Sequence, residues 1–335
     1  MKFLSIRMYQ VLADKAKEIV KESLRTSGML FKIMVPLIII TKILKELGAI
    51  EIIGKWLAPV MQWVGLPGSM GLVWATGMMT NLYGAMLVFV SIGSEVSLTT
   101  AQITVLACLL LSAHALPIEI KIAQKTGVRM RWMFLIRVEG ALCFGMILHA
   151  FFSLGHFLQS PCVLLWKPAP VPPGWIAWAW GEVKNLGMIF CVITVLLILM
   201  DILKWSGVIG WLNRVLAPVL RILGIGQEAT HLTLIGMTLG LGYGGGLLIR
   251  EVQKGHVPPK DVFLSLVFMG LCHSLIEDTL LMTALGAHPI GILFGRIVFA
   301  FLMTLVFSWM VKNVSLDAFY RYWYRAQSVA KERLS

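Results

Sequence analysis

Charge is scarce in this chain. Only 14 % of its 335 residues are Asp, Glu, Lys or Arg, against about 25 % in a soluble globular domain. That deficit, beside 58 % hydrophobic residues, excludes an ordinary water-soluble fold. Acidic residues are the scarcer sign, 17 against 29 basic ones, for a net charge of +12. The basic residues lie in tails and loops, which suits anionic lipid rather than nucleic acid. Cysteine is also sparse. Cys108, Cys143, Cys191 and Cys272 fall in apolar stretches, Cys162 sits alone in a loop, and none forms a CxxC pair. No disulfide framework or zinc-finger site follows from that pattern. The motifs GxSxG and HExxH and the phosphate loop are missing too. The glycines of Gly240 to Gly246 lack the strand-turn-helix setting of a dinucleotide site. No enzyme chemistry and no cofactor are therefore expected.

What is abundant is apolar sequence in long runs. A hydrocarbon core of about 30 Å needs about 20 apolar residues per helix. Eight stretches meet that test: Gly28 to Leu47, Met70 to Ile92, Thr100 to Ile120, Trp132 to Phe152, Leu186 to Leu203, Thr230 to Ile249, Val262 to Leu285 and Gly291 to Val311. Ahead of them, Met8, Val11, Leu12, Ile19, Val20 and Leu24 recur at helical spacing, opposite Lys15, Lys17, Lys21 and Arg25. Residues 1–27 therefore read as an interfacial amphipathic helix rather than a signal peptide.

The chain also repeats itself. Leu57-Ala58-Pro59-Val60 returns as Leu216-Ala217-Pro218-Val219, an offset of 159 positions. The same shift carries Gly28 to Gly187, Gly48 to Gly207, Gly65 to Gly224, His114 to His273, Gly127 to Gly286 and Arg137 to Arg296, and it sets Glu119 opposite Asp278. So many matches at one offset indicate duplication. Loop charge sets the orientation of the copies, because cytoplasmic loops carry the excess of Lys and Arg. Lys2 to Lys32 and Lys121 to Arg131 are basic, while their partners Pro161 to Glu182 and Leu280 to Pro289 are nearly free of Lys and Arg. Arg250 to Lys260 is basic and its partner Gly93 to Leu98 is not. Equivalent loops are thus expected on opposite sides of the membrane.

Inversion needs an odd number of crossings per half. Counting the shorter Ala-Pro segments, Ile52 to Val64 and Trp211 to Leu223, gives five per half. The expected fold class is an all-α polytopic membrane protein of about ten spans, in two inverted five-span repeats with interrupted helices. Its expected segments are the amphipathic helix 1–27, a first repeat 28–153, a periplasmic connector 154–183 rich in Trp and Pro, a second repeat 184–312 and a basic cytoplasmic tail 313–335. The expected setting is a bacterial inner (cytoplasmic) membrane, multi-pass, with both termini cytoplasmic. Expected partners are the lipid bilayer and a small-molecule or ion substrate, not nucleic acid, and a homo-oligomer is compatible with the sequence.

Inverted repeats with interrupted helices place substrate near the midplane. Each half has one candidate interruption. In the first, Thr80, Asn81, Tyr83 and Gly84 are candidate substrate-binding residues, and in the second Gly242, Tyr243 and Gly244 are. Ionisable residues at membrane depth form a second set: His114, Glu119, His273, Glu277 and Asp278. Such residues face protein, water or ligand. Three roles stand open for them: metal binding, proton relay coupled to transport, or structural capping and pairing with Arg137 and Arg296. Which metal, if any, the sequence does not specify.

Each repeat resembles the Gate, or nucleoside-recognition, domain. That domain is shared by concentrative nucleoside transporters, the membrane part of the ferrous-iron transporter B and the spore maturation proteins. The resembling residues are the segments Gly54 to Val60 and Leu216 to Val219, the glycine-interrupted spans Thr80 to Gly84 and Gly240 to Gly246, and the spans bearing His114 and His273. The resemblance implies a membrane transport role without fixing the solute. The leading expectation is a secondary transporter of a small polar solute, nucleoside-like by resemblance, working by alternating access. The alternatives are a divalent-metal permease using the intramembrane His and carboxylate groups, and a non-transporting membrane scaffold or assembly factor.

Overall fold

The computed structural model describes residues 2–93, 97–162 and 174–325. Helix is the only extended secondary structure among the described residues, as a chain that must satisfy its backbone groups inside lipid requires. The first half runs α1 (Lys2–Glu46), α2 (Ala49–Trp63), α3 (Met70–Met79), α4 (Leu82–Gly93), α5 (Thr100–Ser112), α6 (Leu116–Lys125) and α7 (Met130–Leu154). The second half runs α8 (Trp175–Trp205), α9 (Val208–Ile222), α10 (Gln227–Leu239), α11 (Leu241–Gln253), α12 (Pro259–Leu271) and α13 (Glu277–Ala284). A π-helical stretch, Ile290–Gly295, then leads into α14 (Arg296–Asn313), and α15 (Leu316–Tyr322) closes the chain.

The duplication read from the sequence is written into the backbone. Gly48 and Gly207, Gly65 and Gly224, and Gly127 and Gly286 all adopt positive φ, and each pair is a pair of repeat mates. Two non-glycine mates do the same, Ala115 at φ 47° and Ser274 at φ 45°. The halves meet about a pseudo-twofold. Met34 and Ile193, themselves mates, join one small core between α1 and α8. Gly270 on α12 faces Met133 and Arg137 of α7, and Gly291 faces Thr104 and Cys108 of α5, the mirrored exchange. Such reciprocal contacts are the mark of a twofold-related interface.

Five helical stretches are long and apolar enough to cross a membrane: Lys17–Glu46, Thr100–Lys125, Met130–Leu154, Trp175–Leu203 and Ile290–Asn313. Ile39, Ile40, Val195, Leu302 and Trp309 on three of them are exposed, whereas Arg137, Arg296 and Thr104 are fully buried. This arrangement, apolar outside and polar within, suits a lipid-facing surface.

Several expected segments take a different form. The amphipathic helix and the first span are one continuous helix, α1, with Pro36 inside it. The connector is shorter than expected, because Trp175, Trp178 and Trp180 already belong to α8. The remaining connector residues Trp166, Pro168, Pro170, Pro172 and Pro173 lie outside the described residues. The tail is only partly a tail. Phe319, Trp323 and Tyr324 are buried, and the Arg129 amide donates to the Trp323 carbonyl at 3.1 Å.

The ten-crossing layout meets two obstacles. The Ala-Pro helices α2 and α9 have 15 residues each, about 22 Å at 1.5 Å per residue, short of the bilayer core. The apolar runs around Thr80 and Gly240 are not single spans either. A Cβ on Gly77 would sit 3.2 Å from the Ala85 Cβ, and a Cβ on Gly244 would overlap the Gly236 backbone. Residues eight apart in one continuous helix are about 12 Å apart. The chain therefore folds back, and α3–α4 and α10–α11 are helical hairpins. Glycine and alanine at the crossing let the two arms approach closely. The run at Met70 to Ile92 reads as one span in sequence because both arms are apolar and composition does not record direction.

Candidate functional site

Thr80 and Asn81 form the first hairpin's turn. The Thr80 hydroxyl donates to the Thr76 carbonyl at 2.7 Å, and the Asn81 side chain caps α4 by accepting the Gly84 amide at 2.9 Å. In the second hairpin the break is confined to Gly240, at φ 90°. Gly242, Tyr243 and Gly244 lie within α11, so the glycine run is helical past its first member. The side chain of Tyr243 lies outside the described residues. Gly244 acts at the hairpin crossing.

Both hairpins lean on the interruptions of the neighbouring spans. Between α5 and α6 the chain unwinds over Ala113, His114 and Ala115, and between α12 and α13 over Cys272 to Ile276. Unwinding frees backbone groups that must find partners. The Ala115 amide donates to Gly77 of the first hairpin at 3.0 Å, and the Leu275 amide donates to Met237 of the second at 2.8 Å. Two buried arginines complete the caps. Arg137 Nε donates to the Ser112 carbonyl at 2.9 Å, and Arg296 Nη2 donates to the His273 carbonyl.

His114 and His273 sit in these breaks, both buried. Their Nε2 atoms are 3.2 Å apart. Their ring centroids are 4.9 Å apart, tilted by 42°. Nδ1 of His114 lies 2.9 Å from the Leu110 carbonyl, and Nδ1 of His273 lies 2.8 Å from the Met269 carbonyl. A carbonyl only accepts, so each Nδ1 is assigned the proton and each Nε2 of a neutral ring is a bare acceptor. Glu119, in the first turn of α6, adds a third acceptor. Its Oε1 lies 3.4 Å from His273 Nε2 and 3.7 Å from His114 Nε2. Its Oε2 is paired with Arg137 Nη1. The N-terminus of α6 favours the carboxylate there.

The other two carboxylates lie on α13 and do not join the three-atom cluster. The Tyr83 hydroxyl reaches Glu277 Oε1 at 3.5 Å, linking the first hairpin to the second half. Asp278, the mate of Glu119, is buried, and its Oδ2 has no hydrogen-bond partner among the described residues. Nε and Nη1 of Arg296 are in the same position. The five ionisable residues lie in apolar runs of the sequence, whereas the helix breaks at the histidines are only weakly marked there. The available signals were Pro117, two residues after Ala115, and Cys272-His273-Ser274, polar or small residues within an apolar run. Beyond the spans, Lys254 and His256 hydrogen-bond the Glu251 carboxylate and hold it below the usual carboxylate range.

Two repeats, each with a hairpin on a broken helix, and long apolar helices define a polytopic α-helical membrane protein. The chain belongs to the Gate family, described as nucleoside recognition, which matches residues 28–129 and 186–313. Membership supports a membrane transporter-like role in general. The chain is also 25 % identical over 288 residues to the uncharacterized membrane protein YvoD of Bacillus subtilis (strain 168), covering 85 % of this chain and 91 % of that protein. No solved structure matches with significance.

Proposed function

We propose that this protein is a secondary transporter of a small polar solute, working by alternating access about the pseudo-twofold between its halves. One observation carries the reading. Each hairpin turn is hydrogen-bonded to an unwound helix, through Ala115 to Gly77 and Leu275 to Met237, with ionisable groups between. Broken helices and irregular backbone at membrane depth are tolerated where they line a cavity or are buried in protein, and in transporters they form the substrate site. The family's description points to a nucleoside-like solute.

The topology that fits this reading has three crossings per half: α1, α5–α6 and α7, then α8, α12–α13 and the π-helical stretch with α14. The hairpins re-enter, and α2 and α9 lie in the interface. Three is odd, so the inversion argued from loop charge survives the loss of the ten-span count. Both termini are then cytoplasmic.

Uptake of labelled nucleosides and other small polar solutes into proteoliposomes tests the function. With a proton or sodium gradient imposed across the vesicle membrane, wild-type protein should accumulate at least one solute, and Asn81→Ala should reduce that uptake by loosening the first hairpin turn. A folded wild-type protein that moves none of the panel would leave the scaffold reading in its place. Labelling of single cysteines at positions 80, 157 and 255, in a cysteine-free background, tests the topology.

A further inference from the structure

We infer that His114, His273 and Glu119 form a binding site for one divalent first-row transition metal, with Zn2+ the best fit. The argument begins with hydrogen-bond inventory. Three acceptor atoms, Nε2 of His114, Nε2 of His273 and Oε1 of Glu119, converge with separations of 3.2, 3.4 and 3.7 Å. Bare lone pairs repel at such distances unless a proton or a metal ion lies between them. All three atoms fall within 4.8 Å of one another.

The separations themselves point to a metal. Ligand atoms about 2.0–2.1 Å from a tetrahedral Zn2+ lie about 3.3–3.4 Å from each other. Two of the three edges fall within 0.2 Å of that value, and the third is slightly long. Two histidines and one carboxylate form a known zinc ligand set with a fourth position left open. The surroundings also fit. A ligating histidine nearly always donates its other ring N–H to a carbonyl or carboxylate. Here both Nδ1 atoms face carbonyls, Leu110 and Met269. The ligating carboxylate is in turn held, by Arg137.

Charge sets a condition on the fourth ligand. Beside the cluster, Arg137 on α7 pairs with Glu119 and Arg296 on α14 holds the His273 carbonyl, and Asp278 and Glu277 on α13 lie within electrostatic reach of each other, with Asp278 also reached by both guanidiniums. The Arg137 guanidinium already balances the Glu119 carboxylate, so a bound divalent ion adds its charge to a low-dielectric interior. An anionic group or hydroxide at the open position offsets part of it. This site takes one ligand histidine from each repeat but its carboxylate from the first alone, so a single ion binds rather than a symmetric pair.

The inference does not rest on the transport reading, because metal binding and solute uptake are measured separately. Purified full-length protein in detergent, stripped with chelator, would be titrated with Co2+ and then Zn2+. The expected result is one equivalent of Co2+ per chain with the visible absorption of a four-coordinate site, displaced by Zn2+. His114→Ala, His273→Ala and Glu119→Gln should each abolish it, while His256→Ala, an exposed histidine, should leave it intact. X-ray absorption on the Zn2+-loaded wild type should report two imidazoles at about 2.0–2.1 Å, which requires no variant to fold. Absence of stoichiometric binding, or a zinc shell lacking two imidazoles, would overturn the site. In that event the histidine pair is left to share a proton.

Discussion

His114 and His273 stand 159 positions apart in the chain and 3.2 Å apart in space, Nε2 to Nε2. Each histidine is anchored by the same bond, from Nδ1 to the carbonyl four residues before it. The contact therefore lies on the pseudo-twofold, where a duplicated residue meets its own copy. An ionisable pair at that point feels the relative position of the two halves directly.

The ion pair beside it should be costly to break from one side. Arg137→Met leaves Glu119 as an unpaired charge in a buried site, and unfolding stability should fall by about 3–5 kcal/mol. The double variant Arg137→Met with Glu119→Gln removes both charges and should recover much of that loss. Unfolding in mixed micelles across the four proteins measures the coupling. Single-variant losses that simply add up in the double variant would show that the pair itself contributes little.

The glycines of α11 should separate by position. A Cβ at Gly244 would collide with the Gly236 backbone, so Gly244→Ala should cost about 1–3 kcal/mol by forcing the hairpin arms apart. Gly246 has nothing within 4 Å of its would-be Cβ. Gly246→Ala should therefore be neutral or stabilise the helix by up to about 1 kcal/mol. Thermal midpoints of the two variants, expected to fall for Gly244→Ala and to hold or rise for Gly246→Ala, check the hairpin against a continuous helix.

Strain at the two breaks should be relievable. Ala115 and Ser274 adopt the left-handed region, which costs an L-residue roughly 1–2 kcal/mol. Ala115→Gly and Ser274→Gly should each raise stability by about 1 kcal/mol. Ala123→Gly, at a buried position within α6, should lower it by about that amount. The same unfolding assay compares the signs.

The C-terminal segment should behave as a clasp. The Tyr324 hydroxyl donates to the Thr126 carbonyl at 2.6 Å, and its ring crowds Gly127, whose φ is 98°. Tyr324→Phe should cost about 1 kcal/mol locally. Hydrogen exchange at residues 127–129 reads it, and faster exchange there with unchanged exchange in α5 is the expected pattern.

Much of this protein was legible in its sequence, and for identifiable reasons. Charge scarcity and apolar run length select a membrane environment, because runs of about 20 apolar residues match the hydrocarbon core and charge is costly inside it. Duplication shows as identical residues at one offset, from Pro59 and Pro218 to Arg137 and Arg296. Membrane depth for His114, Glu119, His273, Glu277 and Asp278 follows from their place in apolar runs. Chain direction does not follow. A hairpin and a straight span have the same composition, and only the contact of Gly77 with Ala85 and of Gly236 with Gly244 shows the turn. Convergence was equally hidden. Linear position groups Glu277 and Asp278 with His273, yet the carboxylate that meets both histidines is Glu119, because the breaks before α6 and α13 re-aim their first turns. Hydropathy and spacing are local along the chain. The site depends on which side chains two breaks and a pseudo-twofold bring within a few ångströms, and packing alone sets that.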